Sequence, residues 1–182
     1  MNFLIVTSEQ DPPDNYKTRF GKMHPHYETT PIISRLLQDA GHDVSITTDT
    51  GIFISENMKG YEAIVYNTTR EGDLTLSMDE RTALTQYVGG GGGFACIHFS
   101  GVLPETWPNY HDITGGGWIR ETSTHEPYGE IAINVSNMDH PCAQKVANFT
   151  TYDELYIILG YKQDNDVFLT ASHGGEIWPM AW

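Results

Sequence analysis

Cysteine is scarce in this chain of 182 residues: only Cys96 and Cys142 occur. Two thiols build no disulfide framework, so the fold must rest on a packed core, and a reducing compartment is expected. Cations are scarce too, with 10 Lys and Arg against 24 Asp and Glu and a formal charge of −14. No basic cluster reverses that field locally, which excludes nucleic acid as a partner. No apolar run approaches the roughly 18 residues of a membrane-spanning helix, so no membrane association is expected. The N-terminus, MNFLIVTSEQDPP, carries no basic residue before its short apolar run. It therefore lacks the pattern of a secretory leader, and a cytoplasmic protein is expected. Without a leader, the sequons at Asn67, Asn134 and Asn148 are expected to be chance matches.

What the chain has is an alternation of short apolar runs with amphipathic segments. Asn2 to Thr7 (NFLIVT) reads as a buried strand. A long loop with Pro12, Pro13, Gly21 and Pro25 follows, of a length associated with binding loops. Thr30 and Pro31 then predict a helix start, with Ile32, Ile33, Leu36, Leu37 and Ala40 as its inward face and Gly41 as its end. Val44–Thr47 and Tyr61–Tyr66 read as strands. Ser77 and Glu80 form a capping-box pattern opening a second helix, which a glycine run closes before the strand Phe94–Ile97. This alternation predicts a three-layer α/β sandwich with a mainly parallel central sheet. After Thr122 the texture changes. Glu130–Val135, Thr151–Leu159 and Asp166–Thr170 read as strands with little helix between them, a partly antiparallel extension.

The most informative stretch is GGGGGFACIHFSG, from Gly89 to Gly101. A short strand ends at His98, which has small residues two positions to either side, Cys96 and Ser100. Small flanking residues let the backbone fold back sharply, as in the strand-to-helix elbow that presents a nucleophile above a parallel sheet. Here the elbow presents imidazole. Cys96, preceded two residues earlier by bulky Phe94, reads as part of the strand interior and as structural. The glycine run follows a helix and is no dinucleotide fingerprint, which must follow a strand.

Other polar groups could join His98. His24-Pro25-His26 and His125 lie in predicted loops, and with Asp139, Glu154 or His98 they could build a metal site of mixed imidazole and carboxylate ligands. No HExxH or paired CxxC spacing supports one, so a divalent metal stays an open alternative. Trp107, Tyr110, Trp118 and Tyr128 offer aromatic faces that could stack on a sugar or belong to the core.

Taken in order, YEAIVYNTTREGDLT, GGGFACIHFSG, WPNYHDITGGGW, DHPC, FTTYDELY and WPMAW resemble the ThuA-like, or trehalose-utilisation, family. The resemblance implies a fold similar to flavodoxin and to class I glutamine amidotransferases, over one domain spanning residues 1–182. It implies Ile97 and His98 as the matching part of the family's elbow, whereas Cys96 and Ser100 depart from its small positions. It also places His26, His98, His125, Asp139, His140 and Glu154 near motif positions. The family usually continues into a further strand and a Gly-His motif, which this chain is expected to lack.

Three functions compete at this stage. The first is an enzyme of carbohydrate metabolism acting on a disaccharide or keto-sugar derivative by hydrolysis, elimination or isomerisation. In it His98 is general base, Glu154 assists, and His26, His125, Asp139, His140 and Trp107 contact the substrate. Imidazole, with an ordinary pKa of about 6.5, suits proton exchange at neutral pH. Imidazole in place of the amidotransferase thiol argues against glutamine hydrolysis. The second is a non-catalytic sugar-binding or regulatory module, and the third a metal-dependent hydrolase. The expected partner in each is a small sugar or sugar derivative, and self-association stays open.

Overall fold

The computed structural model describes residues 1–8, 24–68, 76–104 and 106–182. The long loop read after the first strand lies mostly outside these residues. The chain forms two compact units, Met1–Ile113 and Thr114–Trp182. No helix among the described residues is long and apolar enough to cross a membrane.

The first unit holds a four-stranded parallel sheet of β1 (Asn2–Thr7), β2 (Asp43–Thr47), β3 (Ala63–Asn67) and β4 (Gly93–Cys96), in the order β2-β1-β3-β4. Phe3 lies opposite Val44 on one side and Ala63 on the other, and Ile64 opposite Phe94. Leu4, Ile5 and Val6 are buried together, which requires cover on both faces of β1. Leu4, Val6, Ile64 and Tyr66 share one parity and pack with Phe53, Met58 and Leu84. Thr7 and Asn67 belong to the other parity, and their side chains bond to hydroxyls of the first helix.

That first helix, α1, runs His26–Asp39 and corrects the sequence reading. It starts four residues before Thr30, and Pro31 lies inside it. Its buried stripe is His26, Thr30 and Ser34, one residue per turn. Ile32 and Leu36, expected to face inward, are 61% and 65% exposed. The physical reason is that side-chain hydrogen bonds to the sheet's carboxyl end select a polar stripe, and apolar periodicity does not see such bonds.

The second helix, α2 (Met78–Gly89), matches its reading closely. Ser77 Oγ accepts from the Glu80 backbone N–H, and the Glu80 carboxylate accepts from the Ser77 N–H at 2.6 Å. Gly91, at φ 95, turns the chain back toward β4.

The second unit is built from antiparallel pairs. Its main sheet has the order β12-β11-β7-β8, from β7 (Gly129–Val135), β8 (Phe149–Asp153), β11 (Leu169–His173) and β12 (Glu176–Ala181). Two short pairs accompany it, β5 (Gly116–Gly117) with β10 (Gly160–Tyr161) and β6 (Thr124–His125) with β9 (Tyr156–Ile157). Ile131, Ile133, Leu155, Ile157 and Ala171 form its core. The sequence reading missed β12. Gly174 and Gly175, at φ 63 and 84, make the two-residue turn that folds β12 onto β11. Pro179 is tolerated there because β12 is an edge strand.

The two helices separate in a mutational test. Leu84→Ala, at a fully buried position, should cost roughly 2–5 kcal/mol, and Leu36→Ala less than about 0.5 kcal/mol. Urea unfolding of both variants checks this, and equal losses would mean that α1 buries its apolar side after all.

Candidate functional site

The end of β3 organises the candidate site of the first unit. Asn67 and Thr68 are consecutive, and both are buried. Thr68 holds the turn after β4. Its backbone N–H donates to Ser100 Oγ at 2.7 Å, and its carbonyl accepts from the same hydroxyl at 3.0 Å. The Tyr110 hydroxyl donates to the Ser100 carbonyl at 2.9 Å and lies 3.5 Å from Cys96 Sγ. The two small residues flanking His98 thus anchor the turn. Between them Ile97 is extended, and His98 takes a φ of 48 before a turn of 3-10 helix, His98–Gly101. A residue with a Cβ rarely adopts that conformation, so the clamp holds it against its local preference. The His98 side chain is exposed beyond the carboxyl end of β4.

Asn67 holds α1. Its amide donates to Thr29 Oγ1 and Thr30 Oγ1 at 3.0 and 3.1 Å, and Thr30 donates on to Thr7 Oγ1 at 3.0 Å. The Asn67 carbonyl oxygen faces His26 Nδ1 at 3.2 Å. His24, read as a loop histidine that could join a metal site with His98, stands beside the His98 ring. Its ring stands edge-on to His98 at 5.1 Å and packs on Phe99 at 4.6 Å.

Burial sets the charge of this cluster. It lowers His24 to about 4, with neighbouring His98 and His26 acting in the same direction. It also lowers His26 to about 4, against the Asn67 hydrogen bond and assisted by His98. Both imidazoles are therefore neutral at pH 7. Burial pushes the Cys96 thiol up to about 12, opposed by its hydrogen bond to Tyr110, so no thiolate is available there. Among the described residues no group of three or more His, Cys, Asp or Glu is arranged to hold a metal ion.

Trp107 packs against the core of the first unit. Its ring lies 4.9 Å from Tyr110, with the Arg81 guanidinium 5.6 Å over it.

In the second unit His125 and Glu154 come together. His125 Nδ1 donates to the Glu126 carbonyl at 2.8 Å and lies 3.8 Å from Glu154 Oε1. Trp118 and Tyr156 surround His125 at 6.0 and 5.9 Å and cross each other edge-on at 4.9 Å. Burial raises the Tyr156 hydroxyl, with Glu154 and Asp153 adding to it.

Asp139 and His140 lie in a different turn. The Asp139 N–H donates to Asn137 Oδ1, and His140 Nδ1 accepts from the Cys142 N–H at 3.1 Å, capping a short helical turn. The His140 ring stacks on Phe168 at 4.3 Å. A cleft of about 200 Å³ in the same unit is lined by residues including Glu126, Glu130 and His173, and by none of the residues read as candidates. His173 Nε2 stands 3.1 Å from Glu126 Oε1 there. Sequence reasoning left Asn67 out, whereas it read His24 as a possible metal ligand and Trp118 as a possible face for a sugar. His-Pro-His was the visible signal for His24, whereas Asn67 carried none beyond a sequon.

The neutral imidazoles predict how stability responds to pH. His24 and His26 bind protons near 6.5 when unfolded and near 4 when folded. Their contribution is complete above about pH 6.5 and is lost as pH falls toward 4, because the unfolded chain then holds more protons. Near pH 5 unfolding should take up about two protons from this pair, and about one in His24→Phe. Denaturation midpoints across this range, wild type against variant, measure the difference. Identical slopes would remove His24 from the count.

Comparison with known proteins follows this geometry. The family model described as ThuA, trehalose utilisation, matches residues 16–182 and so spans both units. A ThuA-like protein from Bacteroides uniformis superposes with a TM-score of 0.72 at 22% identity, covering 94% of this chain and 67% of that one. One from Parabacteroides merdae gives 0.70 at 17% identity, covering 93% and 67%. This chain thus spans about two thirds of the length of both, and identity this low establishes the fold alone. No match was found among curated proteins. A family match of this extent, on a chain with a four-stranded parallel sheet and separate antiparallel sheets, makes the chain a member of the ThuA, or trehalose-utilisation, family.

Proposed function

We propose that the chain is an enzyme of carbohydrate metabolism that acts on a disaccharide or oxidised sugar derivative, with His98 exchanging a proton with the substrate. The single observation that carries this reading is the strained, exposed His98 beyond the carboxyl end of a parallel strand. Ligands of open α/β sheets gather at strand carboxyl ends. Holding a side chain there at positive φ costs local stability, and the Ser100 and Tyr110 bonds offset that cost only to present imidazole to solvent. On the proposed fold, a three-layer sandwich of the amidotransferase type, this is where the nucleophile of that superfamily would stand.

Imidazole accepts or donates a proton near neutrality, which suits hydrolysis, elimination or isomerisation at a carbon bearing hydroxyl or carbonyl groups. The family's trehalose-utilisation description points to a sugar as the substrate. Thioester chemistry on glutamine is not expected, since Cys96, the thiol at the turn, keeps its proton at neutral pH. In the second unit, His125 beside Glu154, with Trp118 and Tyr156 around it, supplies groups of the kind that bind sugar hydroxyls and stack on sugar rings. We assign these residues to sugar binding.

His98→Ala tests the reading. Loss of the proton-transfer group should lower turnover of a responsive disaccharide or keto-sugar by about 10²- to 10⁴-fold. An exposed side chain adds little to packing, so the melting temperature should stay nearly unchanged. Turnover that falls only in step with the folded fraction would make His98 a structural residue.

A further inference from the structure

We propose that Asn67 is a positioning residue that fixes the tautomer of His26, so that His26 Nε2 accepts a hydroxyl hydrogen from the ligand bound at the His98 turn. This deepens the carbohydrate reading above and rests on it. Asn67 spends both amide hydrogens on Thr29 and Thr30, which turns its carbonyl oxygen toward His26 Nδ1. A carbonyl oxygen only accepts, so Nδ1 carries the ring proton and Nε2 carries the lone pair. His26 Nε2 is sealed from solvent, and among the described residues no group pairs with it. Buried polar atoms are almost always paired, so an orphaned one calls for a partner of matching type.

That type is a donor. A carboxylate oxygen offers none at neutral pH, whereas a sugar hydroxyl does. His26 is neutral there because burial lowers its pKa to about 4, so its lone pair is free to accept. The orphaned atom lies on the first turn of α1, in the unit that also carries His98 and His24. An acceptor already stripped of water loses no hydration when a hydroxyl reaches it, so the bond counts at close to full strength.

The test uses the full chain labelled with ¹⁵N and trehalose as the probe. At pH 7 the imidazole spectrum of the free wild type should show His26 protonated at Nδ1 and bare at Nε2, and trehalose should shift the Nε2 resonance. His26→Asn keeps a donor toward Asn67 and removes Nε2. It should weaken trehalose binding about tenfold. Asn67→Leu should mix the tautomers and weaken binding similarly, while Asn67→Asp, which keeps an acceptor toward Nδ1, should keep that atom protonated. Should Asn67→Leu not fold, the wild-type spectrum and His26→Asn still decide. A protonated Nε2 in the free chain overturns the proposal, as does wild-type affinity in His26→Asn. A resonance that zinc alone shifts, and trehalose does not, overturns it in favour of a metal. Binding that survives His26→Asn but fails in His98→Ala sinks this inference alone. Wild-type protein that binds neither trehalose, another disaccharide nor a keto-sugar sinks the carbohydrate reading, and this inference with it.

Discussion

The first unit depends on a pair of neighbouring hydrogen-bond hubs at the end of one strand. Asn67 bonds to α1 through Thr29, Thr30 and His26, and Thr68 bonds twice to Ser100 in the turn after β4. Because β3 pairs with both β1 and β4, its end is held on both sides by the ladder. One rigid backbone segment therefore sets the positions of His26 and His98 together. The Thr30 hydroxyl belongs to a chain in which each member serves the next, from Asn67 to Thr30 to Thr7. Deleting one member of such a buried chain leaves its partner unsatisfied, at about 1–3 kcal/mol for each stranded group. A polar network of this kind constrains geometry more tightly than an apolar contact of equal area, since hydrogen bonds are directional.

This arrangement also explains why the unit tolerates strain at His98. A non-glycine residue at positive φ disfavours the turn by on the order of 1 kcal/mol. Two hydrogen bonds between Ser100 and Thr68, and one from Tyr110 to the Ser100 carbonyl, oppose it from a buried position. Buried bonds of about 1 kcal/mol each outweigh the strain. The same packing that fixes Tyr110 encloses the Cys96 thiol, so the turn's support and the thiol's inertness have one cause.

Much of the first unit was legible in its sequence because its signals are local. β1 is a short apolar run, the capping box of α2 lies within four residues, and small residues flank His98. α1 was misread because its inward stripe is chosen by partners about forty residues away, Asn67 above all, and no window of α1 contains them. Ile32 and Leu36 look like a core face only while those partners are unseen. β12 was missed for another reason. The Gly174-Gly175 signal for a two-residue hairpin was present, but the Pro in WPMAW argued against a strand unless that strand lies at an edge. Among the candidate residues, the pairing of His125 with Glu154 depends on the register of β6 on β9, which two-residue strands do not announce.

The charge state of the imidazole cluster bears on what the proposed site can hold. The chain carries a formal charge of −14, and burial keeps two histidines of the cluster neutral at pH 7. An anionic ligand such as a sugar phosphate would need cations to replace its hydration, and His24 and His26 do not provide them at pH 7. A neutral imidazole instead offers one donor and one acceptor, the same complement that each hydroxyl of an uncharged sugar presents. His26 spends its donor on Asn67 and keeps its acceptor, whereas the exposed ring of His98 meets solvent. Protonating His26 would need a second charge beside His98 in a buried place, and burial and that neighbour both oppose it. Burial thus holds His26 as a neutral acceptor at pH 7, while the ring of His98 stays exposed.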